Sequence, residues 1–442
     1  MTVGHGILAL SEFGRKVENG QAPSLFLWLG YCRPCYRRWN SSLRHQALLL
    51  GLLSPILDEF GWSRGSTAIM LSLNVLIYGL LAPVAGSLAD RWKPRRVMPI
   101  GVTILGLATA GCAFAHELWH FYLLFGILVP IGSAFSGWPL FAPALANWFV
   151  KRRGLVIGVG QVGGGLSFTY GMFAAFAISQ LGWRPAYFVL AGALVALLLP
   201  LYFLFFHYRP ENKGLKAYGA GELPAAKGLT AEVSVKNPVS GDWTLGQAMR
   251  TYQLWLLVLS FFLYWGVANY LVLGHQVKFA EDVGYSSLLA ASVFALFGVF
   301  MVAGQLSSSI SDWVGREVTI TLATALAIAA LIALVSVRDT SQPWLLYVYA
   351  TCFGYGAGLY SPTMVAGMAD LFHGRHFGAI AGLLLTGMGI GATIGPWLGG
   401  YIYDISGSYI SAFVLCMVCF GLACIAFWIA APRHAARLRA KT

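Results

Sequence analysis

The chain has 442 residues, of which 58% are hydrophobic and only 10% are charged, and its mean hydropathy is +0.69. Soluble globular chains carry about 25% charged residues, so this composition excludes a soluble enzyme, a disordered chain and a fibrous protein and indicates an integral membrane protein. The net charge of +12 would also suit a nucleic-acid-binding protein, so the positions of the basic residues must decide between the two.

Runs of sequence without Asp, Glu, Lys or Arg predict the membrane-spanning segments. About 20 apolar residues at a rise of about 1.5 Å each cross the hydrocarbon core, and backbone groups in lipid must be satisfied within the segment, so each run predicts a helix. Eleven runs reach 20 residues or more: 65–89, 97–116, 118–150, 154–183, 185–208, 251–277, 283–311, 318–337, 340–369, 376–403 and 405–432.

The chain before these runs is irregular. Residues 45–57 are uncharged but number only 13, and arginines at 33, 37, 38 and 44 separate them from a second short apolar piece, 19–32. We interpret the segment from 45 to near Phe60 as the first of twelve spans and 1–44 as an irregular N-terminal segment. A short or tilted helix and a misread start or reading frame upstream of about Leu48 both account for it.

A polar linker, 209–250, divides the chain into two halves, 45–208 and 251–432, and a basic tail, 433–442, follows. The predicted fold is all-α integral membrane, with twelve transmembrane helices in two pseudo-symmetric six-helix bundles. With both termini on one side, only Arg64, Arg184, Lys278 and Arg338 of the 29 Lys and Arg lie on the opposite side. The positive-inside rule then predicts cytoplasmic termini in a multi-pass protein of the cell membrane. The charge is a topology signal, and nucleic acid is not expected as a partner.

A repeat supports the two halves. The turn after the second span reads Gly86-Ser-Leu-Ala-Asp90-Arg91-Trp-Lys-Pro-Arg95-Arg96, and the turn after the eighth reads Ser308-Ser-Ile-Ser-Asp312-Trp-Val-Gly-Arg316. In both, a small residue lets two helices meet closely, while the aspartate can pair with arginine or cap a neighbouring helix. This pattern resembles the loop signature of the major facilitator superfamily. The resemblance covers both halves and nearly the whole chain. The resemblance implies a conformational latch formed by Gly86, Asp90, Arg91, Arg95, Arg96, Asp312 and Arg316.

The two copies depart from that signature. Lys93 stands where the turn glycine is usual, Ser308 replaces the leading glycine, and Trp313 replaces a basic residue. We therefore expect the latch to depend mainly on Asp90, Arg91, Arg95 and Arg96. The stretches 59–64, 147–154, 182–187 and 374–378 are similar to bacterial monocarboxylate-transporter-like and oxalate/formate-antiporter-like members.

Two glycine-rich stretches resemble known motifs, and we interpret both as surfaces for helix packing. Residues 158–163 match a dinucleotide fingerprint, but that site needs a preceding strand in a soluble unit, so the charge-free surroundings favour helix packing. Residues 391–400 are the counterpart in the second half and resemble the glycine–proline motif of superfamily antiporters, which lies in the fifth span there. Small residues allow close helix approach, and we predict that both stretches are surfaces on which the halves rock.

The resemblance implies that spans 1, 4, 7 and 10 line a central cavity, and transport sites lie near the bilayer midplane. For each candidate, internal packing is an equally good explanation. In monocarboxylate transporters span eight usually offers an arginine to the carboxylate, but 300–308 carries no charge here. His275 is the best candidate for a group that changes its charge near neutral pH. The polar and aromatic candidates are Ser136, Trp138, Gln161, Tyr264, Asn269, Tyr270, His275, Gln305, Tyr355, Tyr360 and Ser361.

These features predict a secondary transporter for a small, monocarboxylate-like organic anion, working by alternating access with proton or exchange coupling. The alternative is efflux of an amphipathic or drug-like compound. The chain has no P-loop, its spans lack paired carboxylates, and Cys32 and Cys35 form a lone CxxC without a second ligand pair. We therefore expect no enzyme activity, cofactor or metal, and a monomer whose partners are its substrate and the bilayer.

Overall fold

A computed structural model of the protein describes residues 59–60, 64–92, 94–149, 152–205, 210, 217–218, 243–372, 374, 376–430 and 432. Almost all of these residues are helical. The helices are α1 (Arg64–Arg91), α2 (Pro94–Cys112), α3 (Leu118–Trp148), α4 (Arg153–Leu181), α5 (Trp183–Phe205), α6 (Leu245–Met249), α7 (Tyr252–Val283), α8 (Ser287–Leu306), α9 (Arg316–Val335), α10 (Pro343–Phe372), α11 (Phe377–Ser406) and α12 (Ile410–Ala430).

Each of the eleven charge-free runs corresponds to a helix in the described part of the chain. Within that part, α1, α3, α5, α7, α8, α9, α11 and α12 are long and apolar enough to cross a membrane. The predicted first span lies outside the described residues except for Glu59 and Phe60, as does the whole of 1–44, so the count of twelve stays a prediction. Most of the linker and all of the tail, 433–442, also lie outside them.

The helix α2 begins earlier than its charge-free run. Its first residue is Pro94, and proline suits the first helical position because it lacks an N–H that would be unsatisfied there. Arg95 and Arg96 therefore belong to the first turn of the helix, while the apolar run begins at 97. Charges mark where the hydrocarbon ends, but the helix itself continues into the polar layer.

Two helices contain π-helical turns that the sequence did not indicate. One covers Tyr122–Leu128 in α3, which is interrupted again at Gly137. The other covers Phe262–Asn269 in α7, where the Asn269 side chain donates from Nδ2 to the Tyr264 carbonyl at 2.9 Å. Such turns widen a helix locally and often occur at functional sites.

We call α1–α5, from the first predicted half, the first bundle and α7–α12, from the second, the second bundle; helices of the two meet along small residues. α1 packs against α11, and α4 packs against α8 and α10. A Cβ on Gly86 would lie 2.1 Å from the Gly378 carbonyl oxygen, and one on Gly158 would lie 2.0 Å from the Gln305 carbonyl oxygen. Backbones approach this closely only where side chains are absent. The stretch 158–163 lies inside α4, so it forms helix packing.

Candidate functional site

Asp90, at the end of α1, reaches from the first bundle to the second. Its Oδ2 accepts a hydrogen bond from the backbone N–H of Ala379 at 3.1 Å. Ala379 lies in the first turn of α11, whose N–H groups have no partner within the helix. The positive end of the helix dipole also attracts the carboxylate. Asp90 therefore caps α11 across the boundary between the bundles.

Asp312 does the same in the opposite direction. It lies in the short helix Ile310–Trp313, which follows α8, and accepts from the backbone N–H groups of Gly154 at 3.0 Å and Leu155 at 3.2 Å. Both donors are in the first turn of α4, in the other bundle. Ser308 adds a bond from its hydroxyl to the Gly154 carbonyl oxygen at 2.7 Å. The two aspartates, at equivalent places in the repeat, thus cap each other's bundle.

Ion pairs reinforce the second of these contacts. Arg316 donates to Asp312 Oδ1 at 2.7 Å and to Asp370 Oδ2 at 3.0 Å. Asp370, at the end of α10, also accepts from Arg153 of the other bundle at 3.1 Å. The side chains of Arg316, Asp312 and Arg153 are only 12%, 11% and 9% exposed, while that of Asp370 between the two arginines is 31% exposed. The bundles are thus joined through a chain of alternating charges that is largely removed from water.

All these residues lie at one end of the helices, which we call the basic face: the turns between α1 and α2, α3 and α4, α8 and α9, and α10 and α11. The sequence predicted a latch dependent on Asp90, Arg91, Arg95 and Arg96. In the structure those three arginines are exposed, and Asp90 acts on a helix end. The ion pairs described above, between Arg316, Asp312, Asp370 and Arg153, belong to the turn of the second copy and to its neighbours, and the predicted role of the first copy as a latch stays a prediction.

Arg153 and Asp370 were missing from the predicted latch. Arg153 looked like one member of the basic run 151–153, and Asp370 like an ordinary acid at the end of a span. At the repeat spacing of 222 positions the counterpart of Asp370 is Trp148, so the repeat did not single out this acid.

Several of the predicted cavity residues are buried inside a bundle. Tyr264 and Tyr360 stack with ring centroids 3.5 Å apart, and both are fully buried. The Tyr360 hydroxyl bonds with Ser260 at 2.6 Å, and the Tyr264 hydroxyl points to the Ala323 carbonyl of α9. This position favours a packing role in the second bundle over contact with a substrate.

The candidates in α3, the predicted fourth span, are likewise buried inside their own bundle. The Ser136 hydroxyl donates to the Gly132 carbonyl, and the Ser136 carbonyl accepts from Tyr202 of α5, both at 2.7 Å. Trp138 is 6% exposed, and its ring lies beside Gly160 of α4. These bonds satisfy Ser136 within its own bundle.

The remaining candidates fall into two groups. Gln161, Asn269 and Gln305 are buried, and Asn269 Oδ1 and Gln305 Oε1 have no hydrogen-bond partner among the residues that the structure describes. His275 bonds through Nε2 to the Pro396 carbonyl at 2.8 Å and so ties α7 to α11. The half-buried residues are His275, Tyr270, Tyr355 and Ser361, and Tyr270 lies near Tyr78 of α1, which the sequence had not singled out.

A sequence profile of the Major Facilitator Superfamily matches residues 45–364 and 339–442. The chain belongs to the major facilitator superfamily. This superfamily member is 28% identical over 387 residues to monocarboxylate transporter 11 of Mus musculus, a match that covers 83% of this chain and 79% of that protein. The protein is accordingly a membrane transporter and not an enzyme.

Solved superfamily structures share its fold. The human organic anion transporter MFSD10 superposes with a TM-score of 0.63 at 18% identity, over 90% of this chain and 99% of that one. The proton:xylose symporter XylE superposes with a TM-score of 0.68 at 13% identity, over 90% and 94%. Among the described residues of the transporter, no group of three His, Cys, Asp or Glu side chains is arranged to hold a metal ion.

Proposed function

We propose that this transporter carries a small organic anion of the monocarboxylate type by alternating access, coupled to a proton or to a counter-substrate. The name of the mouse relative supports the substrate class. The observation that carries the mechanism is the reciprocal capping of α11 by Asp90 and of α4 by Asp312. These bonds exist only while the two bundles meet at the basic face.

The strength of these contacts suits a reversible gate. A side-chain cap contributes about 0.5–2 kcal/mol, which is enough to bias two conformations without trapping the protein in one. With the basic face in the cytoplasm, as the positive-inside rule predicts, contact at this face corresponds to the outward-facing state. Opening of the face would release both caps and admit substrate to the cytoplasm.

The proposed substrate region lies between the bundles near Tyr270, Tyr355 and Ser361, together with Tyr78. Tyr78 of the first half and Tyr270 of the second lie near each other, and three of the four residues retain some exposure. The charge-free runs offer no Lys or Arg to an anion within the membrane. Hydroxyl and amide groups and helix N-termini would then hold the anion, as they do at other transport sites.

Uptake into proteoliposomes tests this function. We expect at least one labelled monocarboxylate to accumulate when the vesicle interior is alkaline, or when it contains unlabelled substrate. Loss of uptake with a protonophore would identify proton coupling, and persistence would identify exchange. Liposomes containing a Gly158→Val variant serve as the control, because the added side chain cannot fit against the Gln305 carbonyl. Failure of every carboxylate under both gradients would refute the proposal.

Efflux of an amphipathic compound is the second candidate. The aromatic, uncharged character of the region around Tyr78, Tyr270 and Tyr355 favours it, since such surfaces accept apolar ligands with few fixed polar contacts. The same vesicles decide between the two. Gradient-driven movement of a lipophilic dye, with no movement of carboxylates, would support efflux.

A further inference from the structure

Arg91 and Arg96 lie at the ends of two exposed helix faces. On α1 the face contains Leu80 and Val84, which are 49% and 47% exposed, and Arg91 follows Val84 by two turns. On α2 Arg96 precedes Ile100 by one turn, and Ile100 is 55% exposed. Residues at such spacings share one side of a helix. Exposed apolar faces of membrane helices contact lipid tails, so both guanidinium groups lie at headgroup level.

Trp92 lies between these two faces and is 59% exposed. Tryptophan is enriched at the boundary between lipid tails and headgroups, because its ring is apolar and its N–H is polar. An exposed indole beside two exposed arginines therefore favours a lipid over a soluble anion, since a soluble anion gains nothing from the indole or from the apolar faces.

The second bundle lacks this arrangement, although the turn is the repeat of the first. There Trp313 takes the place of Arg91, and Val318, 51% exposed, takes the place of Arg96, one turn before Leu322 of α9, which is 44% exposed. The arginine of this turn, Arg316, is engaged by Asp312 and Asp370. Residues 312–317 contain two acids and one basic residue, whereas 90–96 contain one acid and four basic residues.

We propose that the turn between α1 and α2 binds the phosphate of an anionic phospholipid, with Arg91 and Arg96 as ligands and Trp92 beside the glycerol backbone. Guanidinium groups bind phosphate through paired hydrogen bonds. The acyl chains of the same lipid would lie along the exposed faces of α1 and α2. Because Asp90 in this turn caps α11, the lipid would bind next to the gate.

Titration of delipidated protein with phosphatidylglycerol, followed by native mass spectrometry, tests the site without any transport assay. Each basic residue near a membrane surface contributes about 1 kcal/mol to anionic lipid binding. The double variant Arg91→Gln/Arg96→Gln should therefore raise the Kd of the first bound phosphatidylglycerol roughly thirtyfold. Trp92→Phe should weaken the binding of phosphatidylglycerol less than the double variant does. The Kd of phosphatidylcholine should not differ between the variants and the wild type.

The matched control is Arg152→Gln/Arg250→Gln, which removes two exposed arginines away from this turn, one between α3 and α4 and one just before α7. Its Kd should stay within about threefold of the wild-type value. An equal loss in the control would show general attraction to a basic surface and would overturn the site. So would an unchanged Kd in the Arg91/Arg96 variant, or competition by inorganic phosphate at the same concentration as the lipid. Unfolding temperatures in detergent verify that all variants fold.

Discussion

Asp90 and Asp312 show how a carboxylate can hold two bundles together by capping a helix of the other bundle. Each accepts backbone N–H groups from the first turn of a helix in the other bundle. Those N–H groups would otherwise need water, so opening of the basic face costs little once water enters. A carboxylate cap is therefore a contact of moderate strength that water can replace.

Removal of the Asp90 cap should shift the conformational equilibrium. We expect Asp90→Ala to weaken contact at the basic face by about 1 kcal/mol, which changes the ratio of the two states about fivefold. Asp90→Asn should have a smaller effect, because asparagine keeps an acceptor oxygen. The rate at which a thiol reagent labels a cysteine placed at Thr386, in the α1–α11 boundary, reports the shift. Asp404→Ala, at the exposed opposite end of α11, is the control and should leave labelling unchanged.

Asp370 should matter more than Asp90, because it lies between Arg153 and Arg316. Asp370→Asn leaves the nearly buried Arg153 without its carboxylate, and an uncompensated buried charge costs about 3 kcal/mol or more. We expect the basic face to open and the maximal transport rate to fall, while substrate affinity changes little. Loss of affinity with an unchanged maximal rate would contradict a role in gating.

At the scale of helices, the sequence was a good guide to where each span lies. Charges are expelled from hydrocarbon, so charge-free runs locate the helices, and the repeat of Asp90 in Asp312 locates the gate. The helix ends that the two aspartates cap were not predictable, since Asp90 and Ala379, for example, are 289 positions apart. The π-helical turns also gave no signal, and the burial of Tyr264 and Tyr360 depends on which way α7 and α10 face.

Close contact between α1 and α11 gives a prediction at this scale. A Cβ on Gly86 would lie 2.1 Å from a backbone oxygen of α11, which cannot move away as a side chain can. Gly86→Ala should therefore fold but fail to bring the bundles together at the basic face. The cysteine labelling above should become faster than in wild type. Gly192→Ala, at a glycine with open space around it, should behave like wild type.

At the scale of the whole molecule, the described contacts between the bundles lie on the basic face and extend toward mid-depth. The α1–α11 boundary includes the bond from the Thr386 hydroxyl to the Gly79 carbonyl at 2.8 Å, and the α4–α8 boundary reaches Gly165 beside Val302. Small residues along both boundaries leave few side chains interlocked there, which suits the rigid-body motion that we propose. Alternating access requires such motion, with the two faces opening in turn.

Distances between the bundles test this central claim most directly. In protein whose native cysteines are replaced by serine, spin labels at Trp92 and Trp313 report the basic face, and labels at Trp119 and Ser408 report the opposite face. Pulsed electron resonance should show two populations in which one distance lengthens as the other shortens. The Asp370→Asn substitution should favour the population with the longer distance at the basic face. Distances that stay fixed, or that lengthen together, would contradict alternating access by two rigid bundles.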